Sequence, residues 1–209
     1  MNLTMSKYDI VNALVLKERY ERYLEICTPN TGGTFRKIKR ANLHACHRLL
    51  YRCPPEFRDG GEISFRSGND AIEGVLPAGA IYDIIFIDPW HTFECSLRDL
   101  QEAFSMLSPR GTMVVHDCSP PSKEVASPQL RDGPWSGVTY CAYIEFLWSH
   151  PEVEYYTVNT DYGVGVVKKR NGDDNTRAGS GRATEIIEQW HRARADNNYD
   201  VFDFFSTHR

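Results

Sequence analysis

The chain has 209 residues, 41% of them hydrophobic, enough to fill one continuous core without a second lobe. Its formal net charge of -4 excludes a general polyanion-binding role, because affinity for a phosphate backbone rests on clustered Lys and Arg. No stretch reaches the ~18 uninterrupted apolar residues of a membrane span, and the start, MNLTMSKYDIVNALVLKERYERY, is too interrupted by charge for a secretory signal, so neither nucleic acid nor membrane is expected as a partner.

Six cysteines are scattered without a CxxC pair in a chain that needs no disulfide framework, which points to a reducing, cytoplasmic setting. The basic run Phe35 to Arg40 reads as the solvated face of a helix.

Taken in order, Ile10, Leu14, Val15 and Leu16 lead into Tyr20 and Tyr23 at helical spacing, predicting a helix over residues 6–22. Tyr23 to Ile26 is the first short buried strand. Gly32, Gly33 and Thr34 then form a strand-to-helix turn, with a helix from Thr34 to about Leu43. Strands two and three are expected at Arg48 to Cys53 and Ile63 to Arg66.

The run Tyr82-Asp-Ile-Ile-Phe-Ile-Asp88 is the clearest element, a strand covered on both faces that ends in a carboxylate. A helix follows from Phe93 to Leu107, closed by an SPRG turn, and Thr112 to Asp117 makes the next buried strand; the two strands and helix form a parallel βαβ unit. After a Pro, Ser and Gly loop, Tyr140 to Trp148 reads as helix, with strands at Glu154 to Val158 and Val164 to Lys168 joined as a hairpin. The domain expected is therefore residues 1–170, an α/β doubly wound sheet, mostly parallel, with one antiparallel strand in the C-terminal hairpin. Residues 171–209 read as a polar linker, a helix at Glu185 to Ala195 and an aromatic tail, Val201 to Phe205, packing on the same domain or on a second subunit of a homo-oligomer.

In such a sheet ligands bind beyond the carboxyl ends of the strands. Glu25 closes strand one, Ser67 to Asp70 follow strand three, Asp88 and His91 follow strand four, and His116 and Asp117 end strand five. Asp88, His91, His116 and Asp117 thus converge from neighbouring strands, which suits a metal ion or an acid/base pair. Asp88 could equally cap the helix after Thr92, and the histidines could be a core and a surface residue.

The segments YLEI with GGTF, YDIIFIDPWHTFECSLRDLQEAFSMLSPRGTMVVHDCSPP, and WSG with TDYGVGVV resemble the small bacterial class I S-adenosylmethionine-dependent methyltransferases over most of residues 7–168. The resemblance implies a Rossmann-like seven-stranded sheet and methyl transfer to an oxygen of a small-molecule acceptor such as a sugar or natural product. It implies that Glu25, Gly32, Gly33 and Thr34 hold the methionine end of the cofactor and that Asn69 and Asp70 lie near the adenine. Asp88 and His91 would face the sulfonium, and His116 and Asp117 would border the acceptor. His91, His116 and Asp117 are then the catalytic candidates, with a divalent metal on Asp88 and Asp117 as another way to activate the acceptor.

The chain departs from the family pattern at three places. Cys27 replaces the usual first loop glycine, Arg52 stands where an acidic residue would bind the ribose hydroxyls, and Val138 and Cys141 stand where Asp and Lys are common. These departures support an alternative, a non-catalytic binding or scaffolding protein on the same sheet. A dinucleotide oxidoreductase is disfavoured, since no GxGxxG follows strand one.

Overall fold

The computed structural model describes residues 5–27, 36–39, 43, 45–51, 63–67 and 79–169. Helix α1 (Lys7–Glu18) starts at the N-cap Ser6, whose backbone N–H donates to the Asp9 carboxylate at 3.0 Å. It ends earlier than its apolar pattern predicts, because Arg19 turns left-handed at φ 59° and its N–H closes on the Val15 carbonyl. Its buried stripe is Ile10, Val11 and Val15, while Leu16 faces solvent.

Among the described residues the sheet has seven strands, β1 (Arg22–Cys27), β2 (Ala45–Tyr51), β3 (Ile63–Ser67), β4 (Tyr82–Asp88), β5 (Leu107–Val115), β6 (Val153–Val158) and β7 (Val164–Lys169). Their order is β3-β2-β1-β4-β5-β7-β6. Strands β2, β1, β4 and β5 run parallel, and β7 is the expected antiparallel strand of the terminal hairpin. The expected single antiparallel strand becomes two, since β3 also runs antiparallel to β2. A parallel crossover needs about a dozen residues or more, usually including a helix, and only residues 52–62 lie between these strands.

Other boundaries differ from the sequence reading: β2 spans Ala45–Tyr51 rather than Arg48 to Cys53, and the helix from Phe93 ends at Ser105 rather than Leu107. Ser108 to Gly111 do not form a closing turn but lie inside β5, where the pairing jumps from Tyr82↔Leu107 to Ile84↔Thr112. Cys27 does not open the loop after β1; it is that strand's last residue, fully buried and paired with Asp88 across the ladder. The expected helices at 34–43, apart from residues 36–39 and 43, and at 185–195, with the aromatic tail, lie outside the described residues.

Strand alternation sorts the core into two faces. Leu24, Ile26, Ile85, Ile87, Met113 and Val115 pack under α2 (Phe93–Ser105) and α3 (Thr139–Ser149). Tyr23, Ile84, Phe86 and Val114 pack under α1. Each fully buried Ile or Leu contributes about 1.5–3 kcal/mol. Phe104 of α2 meets Phe146 of α3 edge to face, ring centroids 5.4 Å apart, which locks the two helices over one face.

Candidate active site

Strands β4 and β5 end side by side, with Ile87↔Val115 as their last pair and the His116 N–H donating to the Ile87 carbonyl at 2.9 Å. Ile84 and Phe86 face α1, so the period of two carries Asp88 to that same face. Val114 does the same for His116. Asp117 then takes a left-handed φ of 62°, a conformation Asp tolerates better than most residues, and turns the chain out of the sheet.

The side chains form one connected cluster. His116 Nδ1 lies 3.0 Å from Asp117 Oδ2, and its Nε2 lies 3.4 Å from Asp161 Oδ1. His91 Nε2 lies 3.1 Å from the same Asp117 oxygen, while its Nδ1 lies 2.7 Å from the Trp135 carbonyl and so donates to it. Asp88 Oδ1 faces both rings, at 3.5 Å from His116 and 3.6 Å from His91. Its Oδ2 accepts from Lys7 Nζ at 3.0 Å. Ser136 donates to the other Asp117 oxygen at 2.7 Å.

Both imidazoles are therefore held as donors on each ring nitrogen. Burial alone would lower the His116 pKa, but hydrogen bonds to Asp117, Asp161 and Asp88 overcome it and raise the value well above its usual range. His91 is raised by Asp88 and Asp117 against the same opposing effect of burial. Burial would push the Asp88 carboxyl up, yet His116, His91 and Lys7 hold it well below the usual carboxylate range. Asp161 is drawn down to about 2, first by its hydrogen bond to His116. At neutral pH the site is an interleaved set of buried charges rather than a free base beside a free acid.

Two glycines let the surrounding loops close on this cluster. A Cβ on Gly137, at φ 53°, would stand 2.1 Å from the His91 carbonyl oxygen, which accepts from the Val138 N–H at 2.9 Å. A Cβ on Gly163, at φ 84°, would stand 2.2 Å from the Ser119 nitrogen where the β6–β7 turn meets the chain after β5. A cleft of about 500 Å³ opens there, lined by Ser119, Pro121 and residues 159–163, and Asp161 belongs to both the cleft and the cluster.

The structure brings Asp88, His91, His116 and Asp117 together as the sequence pattern expects. Glu25 lies on the same face of β1, fully buried, accepting from the Tyr23 hydroxyl at 2.8 Å and the Cys27 thiol at 3.3 Å. Gly32, Gly33, Thr34, Asn69, Asp70 and Arg52 lie outside the described residues. Tyr140 is a buried core residue of α3, whereas Trp90 and Trp135 sit edge to face with centroids 5.3 Å apart beside His91. Asp88 does not cap α2, whose N-cap is Thr92.

Sequence reasoning missed Lys7, Ser136 and Asp161. A signal for Lys7 was present: a lysine in the first turn of a helix opposes the helix dipole. For Asp161 the signal was the TDYG turn, in which Asp161, Tyr162 and Gly163 are all left-handed.

Residues 15–118 match the family model described as a methyltransferase domain. That part of the chain, just under half of it, is similar to a methyltransferase domain. It contains Glu25, Asp88, His91, His116 and Asp117, and the seven-strand order is compatible with a Rossmann-like methyltransferase sheet. Among solved structures, the O-methyltransferase TomG from Streptomyces achromogenes, in complex with SAM, has a TM-score of 0.48 at 14% identity, covering 79% of this chain and 80% of that one. An O-methyltransferase from Bacillus cereus in complex with SAH has a TM-score of 0.45 at 10% identity, with coverage of 78% and 80%. Comparison with curated proteins finds no match. Among the described residues no helix is long and apolar enough to cross a membrane.

Proposed function

We propose that this methyltransferase uses S-adenosylmethionine to methylate an oxygen of a small polar acceptor. The single observation that carries the reading is the joint placement of Asp88, His91, His116 and Asp117 at the carboxyl ends of β4 and β5, next to Glu25 on β1. The donor chemistry fits the cofactor. Glu25 is a buried carboxylate that accepts from Tyr23 and Cys27, and a carboxylate suits a cationic amino group. Gly32, Gly33 and Thr34 would complete that subsite, with Asn69 and Asp70 toward the adenine. S-adenosylmethionine, when bound, would supply the methyl group, its bond to sulfur breaking with the electron pair left on sulfur as the bond to the acceptor oxygen forms.

The protein's part is to align the acceptor and take its proton. His116 has the base role in its neutral form, with Nε2 unprotonated, and its raised pKa places that form on the alkaline side. Its Nε2 contact to Asp161, at 3.4 Å, is longer than its Nδ1 contact to Asp117 at 3.0 Å, so an acceptor hydroxyl entering from the cleft displaces Asp161 first. Nδ1 then stays oriented by Asp117, itself fixed by Ser136 and His91. Asp88 and Asp117, with His116, also have the spacing of a metal-binding trio, their ligand atoms within 4.8 Å of one another. Lys7 Nζ already stands against two of the three, so no step here is routed through a metal.

The test is incubation with S-adenosylmethionine carrying a labelled methyl group and a panel of hydroxylated sugars and phenols. Label is expected on oxygen, lost in His116→Gln while cofactor affinity is unchanged. Label found on nitrogen alone, or full transfer by His116→Gln, contradicts the reading.

A further inference from the structure

The site contains a cation that belongs to no strand end. Lys7 is the first residue of α1, and its ammonium reaches into the cluster: 3.0 Å from Asp88 Oδ2 and 3.4 Å from each ring nitrogen of His116. The equal distances favour neither ring nitrogen. The contact that holds it is the one to Asp88, whose side chain is only 2% exposed.

The backbone is built to keep it there. The Lys7 N–H donates to Asp161 Oδ2 at 3.0 Å, and the Thr160 hydroxyl donates to the Met5 carbonyl, so both residues flanking the N-cap are pinned to the β6–β7 turn. Asp161 thereby joins the start of α1 to His116 Nε2. The helix dipole makes a lysine unfavourable at this position, and that cost is offset only by the buried carboxylates it meets.

Asp88, His116 and Asp117 present oxygen, nitrogen and oxygen donors within 4.8 Å of one another, a set suited to a divalent ion. Lys7 touches two of those three. We propose that the Lys7 ammonium is the built-in cation of the acceptor site, standing in for a divalent metal and stabilising the acceptor oxygen as its proton leaves for the unprotonated Nε2 of neutral His116. This rests on the methyltransferase reading for the acceptor's chemistry, but the cation's occupancy is independent of it. The methyl group still moves from sulfur to oxygen as described; Lys7 forms no covalent bond and keeps its protons throughout.

Mn²⁺ is the probe, followed by electron paramagnetic resonance on the full chain without cofactor. Wild type is expected to bind Mn²⁺ weakly, and Lys7→Met to bind at least about tenfold tighter. Lys7→Arg, which keeps the charge, should remain as weak as wild type. Wild-type binding as tight as Lys7→Met, no binding by a folded Lys7→Met, or tight binding by Lys7→Arg would each overturn the proposal. Should Lys7→Met not fold, wild type decides: a melting temperature unmoved by Mn²⁺ supports the inference and a marked rise overturns it. Failure to bind S-adenosylmethionine would instead count against the function proposed above and leave the Mn²⁺ result standing.

Discussion

Lys7 and Asp88 are 81 residues apart in sequence and 3.0 Å apart in space, joining the first turn of α1 to the end of the central strand. This contact makes α1 part of the site rather than a cover for one face of the sheet. Truncating Lys7 leaves a buried carboxylate with one fewer cation. Lys7→Met is expected to cost about 1.5–3 kcal/mol in urea unfolding. Adding Asp88→Asn to it should cost less than the sum of the two single changes; strict additivity would show that the pair is not coupled.

The pH dependence of stability follows from the signs of the shifts. His116 has a raised folded pKa, so its contribution is fully present below about 6.5, the unfolded value, and is lost as pH rises through the folded pKa. Asp88 and Asp161 have depressed folded pKa values. Their contribution is present above the unfolded value of about 3.9 and is lost as pH falls toward the folded ones, about 2 for Asp161. Thermal melts should therefore show a plateau between roughly pH 4 and 6.5 with a decline on each side. His116→Gln should flatten the alkaline decline, and an unchanged alkaline limb would contradict the assignment.

Glu25→Gln keeps shape and removes charge. It should weaken S-adenosylmethionine binding at least about tenfold in calorimetry while the melting temperature holds. Equal affinity would remove Glu25 from the cofactor site.

Gly137→Ala puts a methyl group 2.1 Å from the His91 carbonyl oxygen at a left-handed φ. The loop must move, His91 loses its seat against Trp135, and stability should fall by about 1–3 kcal/mol with a loss of turnover. A variant with wild-type melting and turnover would show that this closure is not needed.

The sheet was legible because buried strands write themselves as apolar runs: YDIIFID gave β4 with its ends as observed. Asp88, His91, His116 and Asp117 were legible because topology alone carries the ends of neighbouring parallel strands together. The antiparallel course of β3 depends on a short link rather than on strand composition, and the register jump in β5 hides in an SPRG that looks like any turn. Lys7 and Asp161 escaped because they reach the site through tertiary contacts of a helix start and a hairpin turn, which no local period reports. Cys27 suggested a broken cofactor loop; it is the last residue of β1, one beyond the expected strand end, and donates to Glu25, while the loop after it lies outside the described residues.

The most direct test of the central claim is calorimetric titration of the purified chain with S-adenosylmethionine and, separately, with its demethylated product. Saturable binding of both at one site is the result expected of a working methyltransferase domain. No binding of either by a folded protein would contradict it and favour a scaffold built on the same sheet.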